Sequence, residues 1–283
     1  MTEKMSGISD VYFEKLNRLK TWSGIEQKEV YTEEDLKDWS REKDLGAPGE
    51  YPFTRGIYPN MYRGRMWSKR EICGYTSAAE TNKRVMFLIG EGESAINVIF
   101  DTPTQAAMDS DHPMAEADVG VQGTPLDILV DMEDLTKDIP LDEVSFMLST
   151  GPFGSTYYIA NLINKGYDIS QIRGTDPNEF LGRAFCAFTP GSSAYEEHSP
   201  RVCLDKIGFL LKEMPKWYPI NINSYNIREN GVTAAQEAGF VIAVARYYLR
   251  KVEEMGFTVD DLAPKMSFTC GVHVDFFEEV AKF

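Results

Sequence analysis

The sequence has little of what disulfide-bonded, zinc-binding and nucleic-acid-binding proteins need. Its four cysteines, in a chain of 283 residues, are far apart and form no CxxC pair, so they indicate neither a disulfide framework nor a zinc site, and we expect no bound metal. Lysine and arginine total 29 against 44 acidic residues, a net charge of −15. So large an excess of negative charge argues against nonspecific nucleic-acid binding.

Long apolar runs and nucleotide-binding motifs are missing as well. The longest apolar run, AGFVIAVARYYL, is interrupted by Arg246 and is shorter than the roughly 18–20 residues that a membrane-spanning helix needs. The first residues, MTEKMSGISD, are polar and do not resemble a secretory signal, so we predict a cytoplasmic protein without a membrane partner. No GxGxxG follows a strand and no GxxxxGK[ST] occurs, which disfavours Rossmann-type and P-loop nucleotide sites.

The sequence does have enough apolar residues for a substantial core, with 43% hydrophobic content. Residues 1–50 are highly charged and contain only two short amphipathic pieces, at 10–22 and 33–39. We interpret them as an N-terminal arm that packs on something else. No linker follows, so residues 51–283 are predicted to form one continuous domain.

Within that domain, apolar strand-like runs alternate with helical patterns. Strands are predicted at 95–100, 144–149, 219–224 and 265–270, and helices at 125–138, 156–166, 202–214 and 233–256. Repeated strand–helix alternation predicts an α/β fold with parallel strands and crossover helices. A (β/α) barrel and a doubly wound sheet both fit this pattern. Polar residues at the ends of the predicted strands favour an enzyme whose site is built there.

The stretch YPFTRGIYPNMYRGRMW, residues 51–67, combines three arginines with proline and glycine interruptions. Such a segment is irregular rather than helical or extended. Fixed guanidinium groups at Arg55, Arg63 and Arg65 suit carboxylate or phosphate. The stretch therefore indicates a phosphate-bearing small molecule as partner; the alternative is a surface loop with solvated charges.

Several motifs in order carry a specific resemblance. The stretch 51–67, followed by FDTPTQAAMDSDHP, DVGVQG, MPKW, ENGVTA, DDLAPKMSF and FFEEVAKF, closely resembles the methylmalonyl-CoA mutase family of coenzyme B12-dependent acyl-CoA mutases. The resemblance implies a (β/α)8 TIM-type barrel with the pantetheine chain along its axis. It also implies adenosylcobalamin at the carboxyl-terminal face, held by a separate domain with a DxHxxG motif, and a radical isomerase reaction in which the carbonyl-CoA group migrates.

The resemblance also implies roles for individual residues. Arg65 and Arg70 would pair with CoA phosphates or with the substrate end, and Lys265 stands where the family has an arginine. Gln105 would contact the cofactor. The predicted catalytic residues are Tyr225, Asn226 and Arg183, which would grip a substrate carboxylate unless it is a helix-surface arginine. The predicted substrate-binding residues are Tyr58, Asn60, Met61, Gly64, Arg65, Ser68, Arg70, Ile72, Asn97, Ser149, Lys265 and Ser267.

Some positions depart from the family pattern. Ile72 and Gly64 replace aromatic residues, which widens the tunnel and predicts a bulky substituted succinyl-CoA or malonyl-CoA as substrate. Asn226 and Gln105 each replace a histidine. An asparagine still donates a hydrogen bond to a thioester carbonyl but does not act as an acid.

The motifs run only into about the sixth of eight βα units, and no DxHxxG is present. We therefore expect an incomplete barrel, a cobalamin-binding small subunit as partner, and a further chain that completes the barrel. Two other interpretations stay open: a non-catalytic mutase-like subunit that serves assembly or binding, and a mutase of a small hydroxylated monocarboxylic acyl-CoA.

Overall fold

The computed structural model describes residues 20–149, 154–177, 179–181 and 199–283. The chain divides into two compact units. The first unit combines the described residues up to Trp67 with Gly231–Ala238 and Val272–Phe283, and the second combines Ser68–Asn230 with Gly239–Gly271. Each unit is described by itself below.

A five-stranded parallel sheet forms the centre of the second unit. Its strands are β1 (Arg70–Cys73), β2 (Ala95–Ile99), β3 (Ser145–Ser149), β4 (Gly174–Thr175) and β5 (Trp217–Tyr218). They lie in chain order, and every neighbouring pair is parallel. A doubly wound sheet reverses its strand order at a switch point, and this sheet has no such reversal. The order is compatible with a barrel-type α/β fold.

A second parallel pair continues this order. Strand β6 (Ile220–Asn223) pairs with β7 (Met266–Thr269). Only Pro219 separates β6 from β5, and proline has no backbone N–H to donate to a ladder. One extended run therefore pairs first with β4 and then, beyond the proline, with β7.

Ten α-helices lie within the described residues. They are α1 (Met61–Gly64), α2 (Ala78–Gly90), α3 (Thr102–Gln105), α4 (Leu129–Leu135), α5 (Gly154–Asn164), α6 (Ser199–Glu213), α7 (Tyr225–Glu229), α8 (Ala234–Glu254), α9 (Val259–Leu262) and α10 (Phe276–Lys282). Shorter turns are the 3-10 helices Glu33–Leu36, Ile169–Gln171 and Ala263–Lys265 and the π-helix Arg41–Leu45. None of the described helices has both the length and the apolarity that crossing a membrane requires.

The four predicted strands and four predicted helices are confirmed, whereas β1, α2, β4 and β5 were missed. Helix α2 begins at the N-cap Ser77, whose side chain accepts a hydrogen bond from the Glu80 N–H. It buries one stripe, which consists of Ala78, Thr81, Val85 and Leu88. Polar residues interrupt that stripe in the sequence, so its helical period is weak.

The core of the second unit lies between the sheet and its helices. Buried side chains from β1–β3, which are Cys73, Ile96, Val98, Phe146 and Leu148, pack against α2, α4 and α5. A second cluster joins Ile220 and Ile222 of β6 to α6 and α8. Burying one such aliphatic or aromatic side chain stabilises the fold by about 1.5–3 kcal/mol.

In the first unit, the segment at 20–27 packs on α10 and on the start of α8. The Thr21 hydroxyl donates to Glu278 Oε1 over 3.1 Å, and Gln27 Nε2 donates to Asp275 Oδ1 over 3.3 Å. The Ala235 N–H donates to Ser23 Oγ over 3.2 Å. Of the two predicted amphipathic pieces, 10–22 lies almost wholly outside the described residues, and 33–39 begins with a 3-10 helix.

Candidate functional site

One face of the five-stranded sheet carries four of the predicted substrate-binding residues. Side chains alternate between the two faces along a strand, and parallel register partners share a face. The register pairs Ile72 with Asn97 and Ile99 with Ser149. Arg70, Ile72, Asn97 and Ser149 therefore project from the same face, opposite to the helix-covered core. The fold brings together these residues, which are up to 79 positions apart in sequence.

Two hydrogen bonds order this face. Arg70 Nη2 donates to Ser145 Oγ over 3.0 Å, and Ser149 Oγ donates to Asn97 Oδ1 over 3.3 Å. Arg70 and Ser145 begin their strands, whereas Ser149 ends β3. Because a strand rises about 3.3 Å per residue, these side chains form a row roughly 13 Å long from the amino to the carboxyl end of the sheet. We call Arg70, Asn97, Ser145 and Ser149 the polar row.

Arg70 is the cation of the polar row. Burial lowers the pKa of its guanidinium below the ordinary value, although an arginine remains charged at neutral pH. Among the described residues Arg70 forms no ion pair, and its side chain is hydrogen-bonded to the neutral hydroxyl of Ser145. A partly desolvated guanidinium without a carboxylate partner is suited to bind an anion.

Strands β6 and β7 carry a similar ladder of polar side chains. Asn221 Nδ2 donates to Ser267 Oγ over 2.9 Å, and Thr269 Oγ1 donates to Asn221 Oδ1 over 3.1 Å. Further along, the Ser224 hydroxyl donates to the Thr269 carbonyl over 3.1 Å. Lys265 directly precedes β7. The ladder therefore has a cation near its amino end and hydroxyl and amide groups along its length, as the polar row does.

The predicted catalytic residues Tyr225 and Asn226 begin α7 directly after β6. The Tyr225 N–H donates to Asn223 Oδ1 over 3.0 Å, and its ring is half exposed. Asn226 is half-buried, and its carbonyl oxygen accepts from the Asn230 side chain over 2.9 Å. Its own side-chain amide has no hydrogen-bond partner among the described residues. That amide is free to donate to a ligand carbonyl.

Gln105, the predicted cofactor contact, ends the short helix α3 at the carboxyl end of β2. Its Nε2 donates to the Phe100 carbonyl. The buried Asp101 holds this junction: Oδ1 accepts from the Thr104 N–H over 3.0 Å and Oδ2 from the Gly120 N–H over 2.9 Å. Gly120 has a φ of +69°, and a Cβ there would lie 2.5 Å from a backbone oxygen, so only glycine fits.

The other predicted contacts, Tyr58, Asn60, Met61, Gly64 and Arg65, lie on and around α1 in the first unit, and all are exposed. Met61 has a φ of +41°, in the left-handed region that a methionine seldom adopts. Neither Arg65 nor its neighbours Arg55 and Arg63 form an ion pair within the described residues. Ser68 is the exposed first residue of the second unit. Arg183 lies outside the described residues.

Sequence reasoning missed a buried charged cluster below the carboxyl end of β4. Lys206 Nζ of α6 donates to Asp176 Oδ2 over 2.9 Å and to Ser155 Oγ over 2.7 Å. The Lys206 and Asp176 side chains are 7% and 1% exposed. This cluster ties the end of β4 to the start of α5. An aspartate directly after the short strand Gly174–Thr175 was the available signal.

Among the described residues, no group of three or more histidine, cysteine, aspartate or glutamate side chains is placed to hold a metal ion. The groups on the sheet face and strand ends are instead hydroxyls, amides and cations. This arrangement can hold an anionic ligand that carries carbonyl and amide groups, and it offers donors to a polarised carbonyl.

Comparison with known proteins agrees with this chemistry. The family model described as methylmalonyl-CoA mutase matches residues 20–283. The chain is 37% identical over 279 residues to the 2-hydroxyisobutanoyl-CoA mutase large subunit of Aquincola tertiaricarbonis, covering 95% of this chain and 48% of that relative. It is 34% identical over 270 residues to a methylmalonyl-CoA mutase of Rhizobium meliloti, covering 93% of this chain and 37% of the relative. The chain thus spans less than half the length of these relatives.

Proposed function

The chain belongs to the methylmalonyl-CoA mutase family, and from that premise we propose that it is the acyl-CoA-binding part of an adenosylcobalamin-dependent acyl-CoA mutase. Such an isomerase rearranges the carbon skeleton of its substrate. The proposed substrate is a bulky substituted succinyl-CoA or malonyl-CoA. The observation that carries the proposal is the polar row, in which Arg70 has a hydroxyl partner but no carboxylate.

Each part of an acyl-CoA has a chemically matched group on this chain. Arg65, Arg70 and Lys265 are cations for the CoA phosphates or for an anionic substrate end. The hydroxyl and amide groups of the polar row and of Ser267 suit the amides of the pantetheine chain, because each can both donate and accept. The row's length of roughly 13 Å is on the scale of such an extended chain.

The reacting end of the substrate would lie near the carboxyl ends of the strands. There the amide of Asn226 would donate to the thioester carbonyl and hold it in place for migration, with Tyr225 beside it. Arg183 would bind a free carboxylate in a bidentate fork. Ile72 and Gly64 would leave room for a large substituent, since neither carries an aromatic ring.

Adenosylcobalamin, when bound, supplies the radical chemistry of the reaction. The chain has no DxHxxG motif, and its described groups form no cluster suited to a metal ion. Of its residues, Gln105 is the proposed contact with the cofactor through its side-chain amide. We therefore propose that a cobalamin-binding small subunit and a polypeptide that completes the barrel are partners of this chain.

Calorimetry with succinyl-CoA tests the binding part of the proposal. Arg65→Ala should weaken binding about tenfold or more, because a hydrogen bond to a charged group contributes about 1.5–3 kcal/mol. The matched control is Lys83→Ala, since Lys83 is an exposed cation paired with Glu80 on the helix side of the fold. Equal affinity of wild type and Arg65→Ala would remove Arg65 from the site, and no succinyl-CoA binding by the wild type would refute the proposal.

A second candidate substrate is a small hydroxylated monocarboxylic acyl-CoA. It is supported by the 37% identity to a protein named for 2-hydroxyisobutanoyl-CoA and by the aliphatic Ile72. Turnover of both substrate types by the assembled mutase, with wild type and Arg183→Gln, separates the two. If the wild type converts only the monocarboxylic ester and the variant does so equally well, the dicarboxylic proposal is wrong.

If the assembled mutase converts neither ester although the chain binds acyl-CoA, a non-catalytic subunit that serves binding or assembly becomes the better interpretation. The replacement of a histidine by Asn226 favours that alternative. The anion-binding groups of the polar row favour a chain that still handles substrate.

A further inference from the structure

Helix α10 presents its apolar residues to solvent and buries its charged ones. The relative exposures of Phe276, Phe277, Val280 and Phe283 are 69%, 76%, 59% and 75%, whereas that of Glu279 is 2%. The Lys282 side chain is only 4% exposed. A surface helix of a globular protein normally has the opposite arrangement, with its apolar stripe toward the core. The apolar side of α10 is therefore a face without a covering element within the described structure.

An ion cluster holds the helix in this orientation. Lys282 Nζ donates to Glu237 Oε2 at the start of α8 over 2.8 Å and to Glu279 Oε2 over 2.5 Å. Glu237 is fully buried. On the next position of the helix, Glu278 accepts the Thr21 hydroxyl. Rotating α10 to bury its phenylalanines would remove Lys282 from a buried carboxylate, which is strongly unfavourable.

The exposed apolar surface extends beyond the helix. Val272 and Val274, just before α10, are also exposed, so six large apolar side chains face solvent within Val272–Phe283. We call these six residues the α10 patch: Val272, Val274, Phe276, Phe277, Val280 and Phe283. Soluble monomers rarely expose a contiguous apolar patch of this kind unless it is an interaction site.

We propose that the α10 patch is a docking surface for the polypeptide that corresponds to the unmatched part of the relatives, carried on a separate chain or on the same one. This chain aligns over 95% of its own length but over 48% of the Aquincola tertiaricarbonis large subunit, and the family match runs through α10 to residue 283. About as much polypeptide again is therefore available in the family to cover this face. The partner surface must be apolar, because the patch offers aromatic and aliphatic groups.

The strand at the edge of the β6–β7 pair supports the same occupant. β7 pairs with β6 on one side, and its other edge has no partner strand among the described residues. An unpaired strand edge exposes backbone N–H and C=O groups that another strand can satisfy. A closed (β/α) barrel has eight strands, so the family's remaining length would provide both strands and the helices that cover apolar faces. The identity of the occupant rests on the proposed function, in that both belong to one mutase.

Co-expression tests the surface without using enzymatic activity. The probe is the segment of the Aquincola tertiaricarbonis large subunit that follows its matched region, expressed untagged together with the tagged full chain. The wild type should co-purify this segment in a 1:1 ratio. The double variant Phe277→Ser/Val280→Ser should reduce the recovered segment at least tenfold, and Phe277→Leu should retain it because the face stays apolar.

The matched control is Phe87→Ser on α2, which removes a phenylalanine that is also exposed. It should leave co-purification unchanged. Far-UV circular dichroism should show that the variants fold, since the substituted side chains are at the surface. If the wild type does not retain the segment, or if the double variant retains it as well as the wild type does, the proposal is wrong.

Light scattering on the chain alone distinguishes the other occupant. If the wild type is a dimer that Phe277→Ser/Val280→Ser converts into a monomer, the patch binds a second copy and the proposed occupant is wrong. Succinyl-CoA calorimetry on the same preparations separates this outcome from a failure of the proposed function. A chain that binds succinyl-CoA but does not retain the segment would overturn only the docking inference.

Discussion

The guanidinium of Arg70 reaches across β2 to donate a 3.0 Å hydrogen bond to the hydroxyl of Ser145. The two residues are both register partners of Ala95, one on each side of it. Ala95 is fully buried, and its small side chain leaves the path between them open. The relationship fixes the cation of the polar row at the amino end of the sheet, where it offers its remaining N–H donors to an anion.

Arg70→Ala should weaken succinyl-CoA binding by about tenfold or more, because a hydrogen bond to a charged group contributes about 1.5–3 kcal/mol. Ser145→Ala should have a smaller effect, since it removes an orienting hydroxyl and leaves the charge. Titration calorimetry measures both. The control is Arg84→Ala, an exposed arginine that is paired with Glu71. Equal losses for Arg70→Ala and Arg84→Ala would mean that Arg70 does not contact the ligand.

The buried Lys206–Asp176 pair should matter for stability. Lys206→Met leaves the Asp176 carboxylate buried without its counter-charge, which should lower the free energy of unfolding by about 3–5 kcal/mol. The double variant Lys206→Met/Asp176→Leu should lose much less, because it buries no unpaired charge. Urea denaturation followed by circular dichroism compares the three proteins. A double variant less stable than Lys206→Met would contradict this account.

Lys282 should make the first unit sensitive to alkali. Burial lowers the pKa of Lys282, but the hydrogen bonds that it donates to Glu237 and Glu279 outweigh burial, so the pKa lies above the ordinary 10.5. A raised folded-state pKa contributes stability that is complete below the unfolded-state pKa and is lost as pH rises through the folded-state value. The stability difference between wild type and Lys282→Met should therefore be constant from about pH 7 to 10 and should shrink above about pH 10.5.

Urea titrations across that pH range, monitored by tryptophan fluorescence, measure this difference. Lys251→Met serves as the control, because Lys251 forms an ion pair with Glu254 at the surface. A difference between wild type and Lys282→Met that grows above pH 10.5 would show that the sign is wrong.

Ile72→Tyr should reverse the proposed substrate preference of the assembled mutase. Ile72 shares the sheet face of the polar row, so a ring there would occupy space beside the bound ligand. Turnover of a bulky substituted succinyl-CoA should fall more than turnover of methylmalonyl-CoA, because added bulk clashes most with the larger substituent. Ile72→Val is the control and should keep the wild-type order. An unchanged order in Ile72→Tyr would place the substituent away from Ile72.

Local sequence was sufficient for the elements with strong patterns. Buried parallel strands such as 95–100 have nearly continuous apolar runs, and α8 repeats its apolar residues at the helical period over 21 residues. The motif series from residue 51 onward also identified the family, which the match over residues 20–283 confirms. Such features depend on neighbours in sequence, because burial on one or both faces imposes a period that a short window already contains.

The partners of charged and polar side chains were decided only by tertiary structure. Arg70 meets Ser145 because strand register brings together residues 75 positions apart, and Lys206 meets Asp176 because α6 packs below the end of β4. Helix α10 is the clearest case: by sequence its phenylalanines belong in a core, yet Glu237 binds Lys282 and turns them toward solvent. A local pattern reports how much apolar surface an element must cover, whereas long-range contacts determine what covers it.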